Sequence, residues 1–164
     1  MLKAVPLRRR RDCHCYHAAM FRLKRYLIPL LLLCVLAAGA APRKAIQPKE
    51  FPKGGPFSPA ILADGTLYVA GQVGRDLKTG KTPAEFEAEV RQTFDNIGII
   101  LKEAGMSFDD VVAVNVYMTD VSLFQRMNAV YVTYFKEPRP ARTTVGVAKL
   151  AGEFRIEITV TAKK

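Results

Sequence analysis

Cysteine and histidine are absent from residues 42–164, because all three cysteines and both histidines of the chain lie within residues 1–41. A Cys/His or Ser/His nucleophile, a structural disulfide, and a zinc or iron site built on these residue types are therefore excluded from residues 42–164. Arginine, lysine, aspartate, glutamate and tyrosine remain for any chemistry there. We expect no metal site.

A strong charge of one sign is also lacking from residues 42–164, which carry 17 Lys or Arg and 14 Asp or Glu. The formal net charge of +10 for the whole chain comes mainly from residues 1–41, which hold 8 basic residues and 1 acidic residue. Binding to nucleic acid relies on neutralising many phosphates with clustered Lys and Arg. Because residues 42–164 have no basic stripe, we expect no nucleic-acid partner.

Residues 1–41 have the three parts of a secretory signal peptide. A basic stretch at 22–25 precedes an uncharged, leucine-rich run of 17 residues at 26–42, and small residues at 38–41 supply an Ala-x-Ala cleavage pattern. A helix needs roughly 20 apolar residues to span a bilayer, so this run is short for a membrane anchor. The pattern predicts an exported protein, periplasmic or secreted, with an uncleaved leader as the alternative and as the only membrane attachment. The signal is complete from Met20, which is an alternative start of the chain.

Residues 42–56 are rich in Lys and Pro and show no apolar periodicity, which predicts a flexible lead-in. Residues 57–164 suffice for one compact domain. Their apolar patterns predict the order strand, strand, helix, strand, helix, strand, strand. The strands are predicted at 60–63, 66–70, 111–117, 143–148 and 154–161, and the helices run from a Thr82-x-x-Glu85 capping box to Gly105 and from Ser122 to Pro138.

Only two helices accompany five predicted strands, so we expect an α/β (α+β) fold with both helices packed on one face of the sheet. In the last strand Ile156 and Ile158 alternate with Glu157, so the glutamate points away from the helices. A sheet face that bears small and polar groups is either solvated or covered by another subunit, and a domain this small gains much from the second option. We predict a homo-oligomer with its site between subunits.

The pair Arg142 and Glu157, fifteen residues apart near the C-terminus, gives the clearest chemical signal. A guanidinium grips a planar carboxylate through two parallel hydrogen bonds, and a nearby carboxylate can hold and deprotonate a water. This pair predicts hydrolysis of a small acid. Two alternatives stay open: Arg142 pairs with an acidic residue at a subunit boundary, or Glu157 is its structural partner.

Four motifs, which include this pair, occur together. They are Gly55-Pro56-Phe57-Ser58, Gly71-Gln72, Asn128 with Tyr131, and Pro140-Ala141-Arg142 followed by Ile156-Glu157-Ile158. Over about residues 52–162 the chain resembles the RidA (YjgF/YER057c/UK114) family. The resemblance implies a chorismate-mutase-like mixed sheet, a homotrimer with clefts between subunits, and cofactor-free hydrolysis of small enamine and imine acids. A typical substrate is 2-aminoacrylate, with a 2-keto acid and ammonia as products.

The resemblance also implies roles for individual residues. Arg142 would bind the substrate carboxylate and Glu157 would position the water, with Phe57, Gly71 and Asn128 as further substrate-binding residues and no metal or cofactor. Phe57 stands where the deaminase branch usually has Tyr, so one hydroxyl is missing from the expected pocket. The family resemblance and the signal peptide together predict a deaminase of the cell envelope. The alternative is a non-catalytic trimeric binder of small carboxylate metabolites.

Overall fold

The computed structural model of the protein describes residues 42–164, and the predicted signal peptide over residues 1–41 lies outside the described residues. Seven strands and two helices make up the described part of the chain. They are β1 Lys44–Ile46, β2 Ala60–Ala63, β3 Thr66–Val69, β4 Gln72–Val73, α1 Phe86–Glu103, β5 Val111–Met118, α2 Phe124–Tyr134, β6 Ala141–Gly146 and β7 Ile156–Lys163. Single 3-10 turns at Phe108–Asp110 and Val121–Leu123 precede β5 and α2.

The seven strands form one mixed sheet in the order β1-β2-β3-β7-β5-β6, with β4 also paired to β7. The pairing of β5 with β6 is parallel, and the other pairings are antiparallel. Both β3 and β4 run along the same edge of β7, because β3 pairs with 161–163 and β4 with 157–158. This confirms the predicted α+β fold with a mixed sheet.

Both helices cover one face of this sheet. In β7 the residues Ile156, Ile158, Val160 and Ala162 are at most 2% exposed, and they share one hydrophobic cluster with the apolar stripes of α1 and α2. Burying one such aliphatic side chain stabilises the fold by roughly 1.5–3 kcal/mol. The residues between them in β7, which include Glu157, face the opposite side. Within residues 42–164, neither helix is long and apolar enough to cross a bilayer.

The start of the predicted flexible lead-in over residues 42–56 needs correction. Residues Lys44–Ile46 form β1 and pair with β2, with Ile46 opposite Ala60. Ile46 is 3% exposed and Phe51 is 9% exposed, so both belong to the core. Two apolar residues five positions apart give no periodic signal, and the strand forms because β2 offers it a sheet edge.

The predicted capping box at the start of the first helix is also wrong. Helix α1 begins at Phe86 after Glu85, whose side chain makes no capping hydrogen bond. The Arg155 guanidinium instead donates to the carbonyls of Pro83 and Ala84, at 3.1 and 3.0 Å. This contact with the start of β7 ties down the segment before the helix, so a tertiary interaction overrides the local capping signal.

Candidate active site

Arg142 lies in β6, and its place in that strand fixes the direction of its side chain. It pairs with Val114 of β5, which is 1% exposed and belongs to the core under the helices. Paired residues on neighbouring strands project to the same side. Accordingly, the Arg142 guanidinium carbon lies 4.4 Å from the ring centroid of Tyr131 and 5.4 Å from that of Phe124, both in α2. A cation over an aromatic face at these distances is attracted by the ring.

The Arg142 guanidinium has no acidic partner within residues 42–164. The ion pairs there join Arg126 to Glu87, Arg139 to Glu137 and Arg155 to Glu89. The side chain is partly buried, so water screens its charge less than that of an exposed arginine. A partly buried guanidinium without an acidic partner is suited to binding the carboxylate of a ligand.

Asn128 and Arg142 line the same open cleft. This cleft measures about 470 Å³, and its other lining residues are Tyr131, Val132, Arg139 and Pro140. Asn128 and Tyr131 are three residues apart in α2, which places them on the same side of the helix. The cleft therefore offers an amide and a guanidinium to a small anion.

Glu157 belongs to a different part of the surface. In β7 it pairs with Val73 of β4 and with Tyr117 of β5, on the sheet face away from the helices. Its side chain is partly buried, and no hydrogen bond or ion pair joins its carboxylate to another residue of 42–164. Such a carboxylate is available to accept a hydrogen bond from a water.

Gly71 lies directly against the Glu157 carboxylate. A Cβ atom at this position would overlap with Oε1 and Cδ of Glu157 and make a tight contact with Cγ. Only glycine leaves this space, so the sequence signal at Gly71-Gln72 has a physical reason. Gln72 is buried and its side-chain amide donates to the carbonyl of Ala70 at 3.0 Å, which braces this break between β3 and β4.

Phe57 and Gly71 line a second cleft, of about 340 Å³. Its walls are mostly apolar, and they include Phe51, Leu77 and Phe154 together with Arg75. Phe57 itself is 69% exposed, so little of the described chain covers its ring. The predicted residues Phe57, Gly71 and Glu157 thus lie on one side of the molecule, and Arg142 and Asn128 lie on another.

A single chain does not bring Arg142 and Glu157 together. The two side chains point to opposite faces of the sheet, and β5 separates their strands. Neighbouring strands are about 4.8 Å apart, so the two backbones lie roughly 10 Å apart across the sheet, and they are also displaced by three residues along it. A site that contains both residues requires two copies of the chain, and their joint role stays a prediction.

Sequence reasoning missed the ion pair between the buried Glu89 and Arg155, whose side chain is 36% exposed. The first-turn position of Glu89 in α1 predicts a solvated carboxylate, but its side chain is fully buried and lies 2.6 Å from Arg155 Nε. Its other oxygen accepts from the Arg155 backbone N–H at 2.8 Å. The signal that could have revealed it is spacing, since Glu89 follows the core residue Phe86 by three positions.

The ion pair anchors α1 to the beginning of β7, two residues before Glu157. It therefore supports the strand that presents the predicted catalytic carboxylate.

Within residues 42–164, no group of three or more Asp, Glu, His or Cys side chains is placed to hold a metal ion.

The family match, the relatives in sequence and the solved structures all point to the same protein family. Residues 48–164 match the family described as endoribonuclease L-PSP. The 2-iminobutanoate/2-iminopropanoate deaminase of Rattus norvegicus is 40% identical over 122 residues, which are 73% of this chain and 89% of the rat protein. The crystal structure of RidA from an Antarctic Psychrobacter species is 38% identical with a TM-score of 0.70, over 74% of this chain and 99% of that one.

The crystal structure of E. coli TdcF with bound serine is also similar. It is 29% identical with a TM-score of 0.69, and the match covers 74% of this chain and 98% of TdcF. These matches agree with the motifs around Phe57, Gly71, Arg142 and Glu157 and with the mixed sheet that carries two helices on one face. The chain belongs to the RidA/YjgF family of L-PSP-type proteins.

Proposed function

We propose that the protein hydrolyses small imino and enamino acids of the 2-aminoacrylate type to 2-keto acids and ammonia, without a cofactor. The observation that carries this proposal is the Arg142 guanidinium, which lines an open cleft and has no acidic partner within residues 42–164. Relatives at about 40% identity are named 2-iminobutanoate/2-iminopropanoate deaminase, and both of those substrates carry a carboxylate beside the imine carbon.

Arg142 anchors the substrate in this proposal. Two parallel hydrogen bonds from a guanidinium fix both the position and the plane of a carboxylate. The imine carbon is bonded to that carboxylate, so its position becomes fixed as well. The serine bound to the similar E. coli TdcF is a ligand of this size and carries the same carboxylate group.

Glu157 supplies the water in this proposal. Its carboxylate accepts a proton from the water as the water oxygen attacks the imine carbon, and the imine nitrogen takes up a proton from solvent. The resulting carbinolamine releases its hydroxyl proton to solvent as that oxygen becomes the carbonyl of the 2-keto acid, and the proton held by Glu157 passes to the nitrogen, which leaves as ammonia. Imines of this kind already hydrolyse in water, so holding water and substrate together supplies most of the rate enhancement required.

The complete site lies between two subunits of a homotrimer in this proposal. Arg142 and Asn128 come from one subunit, and Glu157, Gly71 and Phe57 come from the next. Support comes from the opposite directions of Arg142 and Glu157 within one chain. It also comes from the helix-free sheet face, where partly exposed small and polar residues such as Asn115 and Thr159 lie.

A keto-acid release assay tests the proposed function. Purified residues 42–164 are mixed with freshly generated 2-aminoacrylate, and pyruvate is followed over time. We expect pyruvate to appear faster than in buffer alone. A rate equal to that in buffer, together with measurable binding of pyruvate, would instead support the non-catalytic trimeric binder of small carboxylate metabolites.

We propose that no nucleic acid is bound, although the family's description names an endoribonuclease. The 17 basic and 14 acidic residues of 42–164 nearly cancel, so few phosphates can be neutralised. Titration with single-stranded RNA at two salt concentrations checks this proposal. An affinity that falls steeply with salt would contradict it.

We further propose that residues 20–41 direct export, so that deamination takes place in the cell envelope. The support is the basic stretch, the 17-residue apolar run and the Ala-x-Ala pattern of the sequence. Cell fractionation combined with N-terminal sequencing of the mature chain tests this localisation. A new N-terminus near residue 42 is expected, whereas an intact leader in the cytoplasmic fraction would contradict export.

A further inference from the structure

The aromatic surface beneath Arg142 is packed into the hydrophobic core. Tyr131 is 3% exposed, and its ring packs edge-on against Phe94 at 5.9 Å and in a tilted arrangement against Phe135 at 4.6 Å. Phe94 and Phe135 are themselves buried in the core. Aromatic pairs at such distances are mutually attractive, and a close-packed interior allows few other orientations. The ring of Tyr131 is therefore a fixed platform.

The hydroxyl group of Tyr131 takes no part in this packing. Its oxygen is buried and has no hydrogen-bond partner within the described chain. Burial raises the pKa of Tyr131, against the opposing charges of Arg142 and Arg139, so the side chain is neutral at physiological pH. What Tyr131 offers to Arg142 is the face of its ring, 4.4 Å from the guanidinium carbon.

We propose that Tyr131 is a positioning residue that holds the Arg142 guanidinium against its ring and so preorganises it for a carboxylate ligand. Phe124, 5.4 Å from the guanidinium carbon, is the weaker second contact. This inference rests on the proposed function, since it assigns to Arg142 a carboxylate ligand. It also makes the site selective for anionic over uncharged substrates through a residue that acts by way of Arg142.

The physical reason is the flexibility of arginine. A free arginine side chain has several rotatable bonds, and ordering it upon binding costs affinity. A guanidinium stacked on a ring keeps its N–H edges available for two parallel hydrogen bonds to a carboxylate. Removing the ring should therefore weaken carboxylate binding while leaving uncharged ligands unaffected.

Calorimetry with the purified full-length chain tests this inference. The probes are 2-oxobutanoate and its uncharged amide, 2-oxobutanamide. We expect Tyr131→Leu to weaken 2-oxobutanoate binding by roughly tenfold and to leave amide binding within about twofold. Tyr131→Phe keeps the ring and should bind 2-oxobutanoate within about twofold of the unmodified chain. Equal losses in the Phe and Leu variants would overturn the inference, because they would place the effect in the hydroxyl.

The double variant Arg142→Ala/Tyr131→Leu separates positioning from general damage. If Tyr131 acts through Arg142, the Leu substitution should cause no further loss of 2-oxobutanoate binding once Arg142 is removed. An additional loss of tenfold in the double variant would overturn the inference. Should Tyr131→Leu fail to fold, Phe124→Leu at the less buried ring gives the same test, with a smaller expected loss of about threefold.

Nitrogen-15 NMR of the Arg142 side chain distinguishes failure of this inference from failure of the proposed function. The ring current of Tyr131 should shift the Arg142 Nε–H signal in the absence of any ligand, and Tyr131→Leu should remove that shift. An unshifted signal in the unmodified chain would overturn the positioning role. A shifted signal together with no keto-acid release would instead support the positioning role of Tyr131 and contradict the deaminase proposal.

Discussion

Arg142 and Glu157 point to opposite faces of one sheet, with strand β5 between their strands. The register of β6 and β7 determines this relationship, because a shift of one residue in either strand would reverse one of the two side chains. Each residue has a distinct neighbourhood: Arg142 lies over Tyr131, and Glu157 lies against Gly71. The proposed chemistry therefore depends on assembly.

Replacing Arg142 by Ala should reduce kcat/KM for imine hydrolysis by about 100-fold or more, because the substrate loses its anchor and its near-attack position. The fold should persist, since the guanidinium makes no ion pair within residues 42–164. Keto-acid release and circular dichroism provide the measurements. Arg139→Ala is the matched control, because Arg139 lines the same cleft but pairs with Glu137. Equal losses in both variants would argue against a specific role for Arg142.

Gly71→Ala should disable Glu157 without unfolding the domain. The added Cβ overlaps with the carboxylate end of Glu157, a flexible side chain that can move away. We expect kcat to fall at least about tenfold, since a small misplacement of a catalytic group is costly, while the free energy of unfolding changes by less than about 1 kcal/mol. Gly55→Ala is the control, because a Cβ there meets no atom closer than 4.0 Å. Undiminished turnover in Gly71→Ala would remove Glu157 from the reaction.

Arg155→Ala should destabilise the domain by about 3 kcal/mol, because the fully buried Glu89 carboxylate loses its guanidinium partner and keeps only the backbone N–H of residue 155. Urea unfolding followed by circular dichroism measures this change. Arg126→Ala breaks a solvent-screened pair with Glu87 and should cost far less. Similar unfolding free energies for the two variants would mean that the pair of Arg155 with the buried Glu89 contributes little.

The Glu87–Arg126 pair should make stability depend on acid pH. The hydrogen bond from Arg126 lowers the pKa of Glu87 from 4.5 to about 2. A carboxylate whose pKa is lower in the folded state stabilises the fold above its unfolded pKa, and that contribution disappears as the pH falls from about 4.5 towards 2. Glu87→Gln should remove this part of the pH dependence. An identical acid profile for both proteins in urea titrations would contradict the assignment.

The sequence was most informative where its local pattern of apolar and polar residues agreed with the burial in the folded domain. The alternation of Ile156 and Ile158 with Glu157 predicted which side of β7 is buried, because a strand has a period of two whatever its partners are. The sequence identified the Arg142 motif but did not predict the face of the sheet to which the Arg142 side chain points. A strand predicted to start at Thr143 leaves Arg142 outside the sheet, whereas β6 begins at Ala141 and fixes Arg142 toward α2.

The remaining differences come from contacts between distant parts of the chain. Lys44–Ile46 forms a strand because β2 is available as a partner, which no local pattern can indicate. Glu89 is buried because Arg155, sixty-six residues away, supplies a partner. The same arginine donates to the carbonyls of Pro83 and Ala84 and so fixes the segment before α1, where the expected helix cap does not form. Local propensity is a weak guide wherever such long-range polar contacts decide the structure.

Mixing two inactive variants tests the central claim most directly. Arg142→Ala and Glu157→Gln chains are co-expressed in equal amounts, purified as mixed oligomers and assayed for keto-acid release. If each site takes Arg142 from one subunit and Glu157 from its neighbour, random mixing restores both residues in about a quarter of the sites, and about a quarter of the unmodified activity should return. Mixed oligomers that remain as inactive as either variant alone would contradict a site shared between subunits.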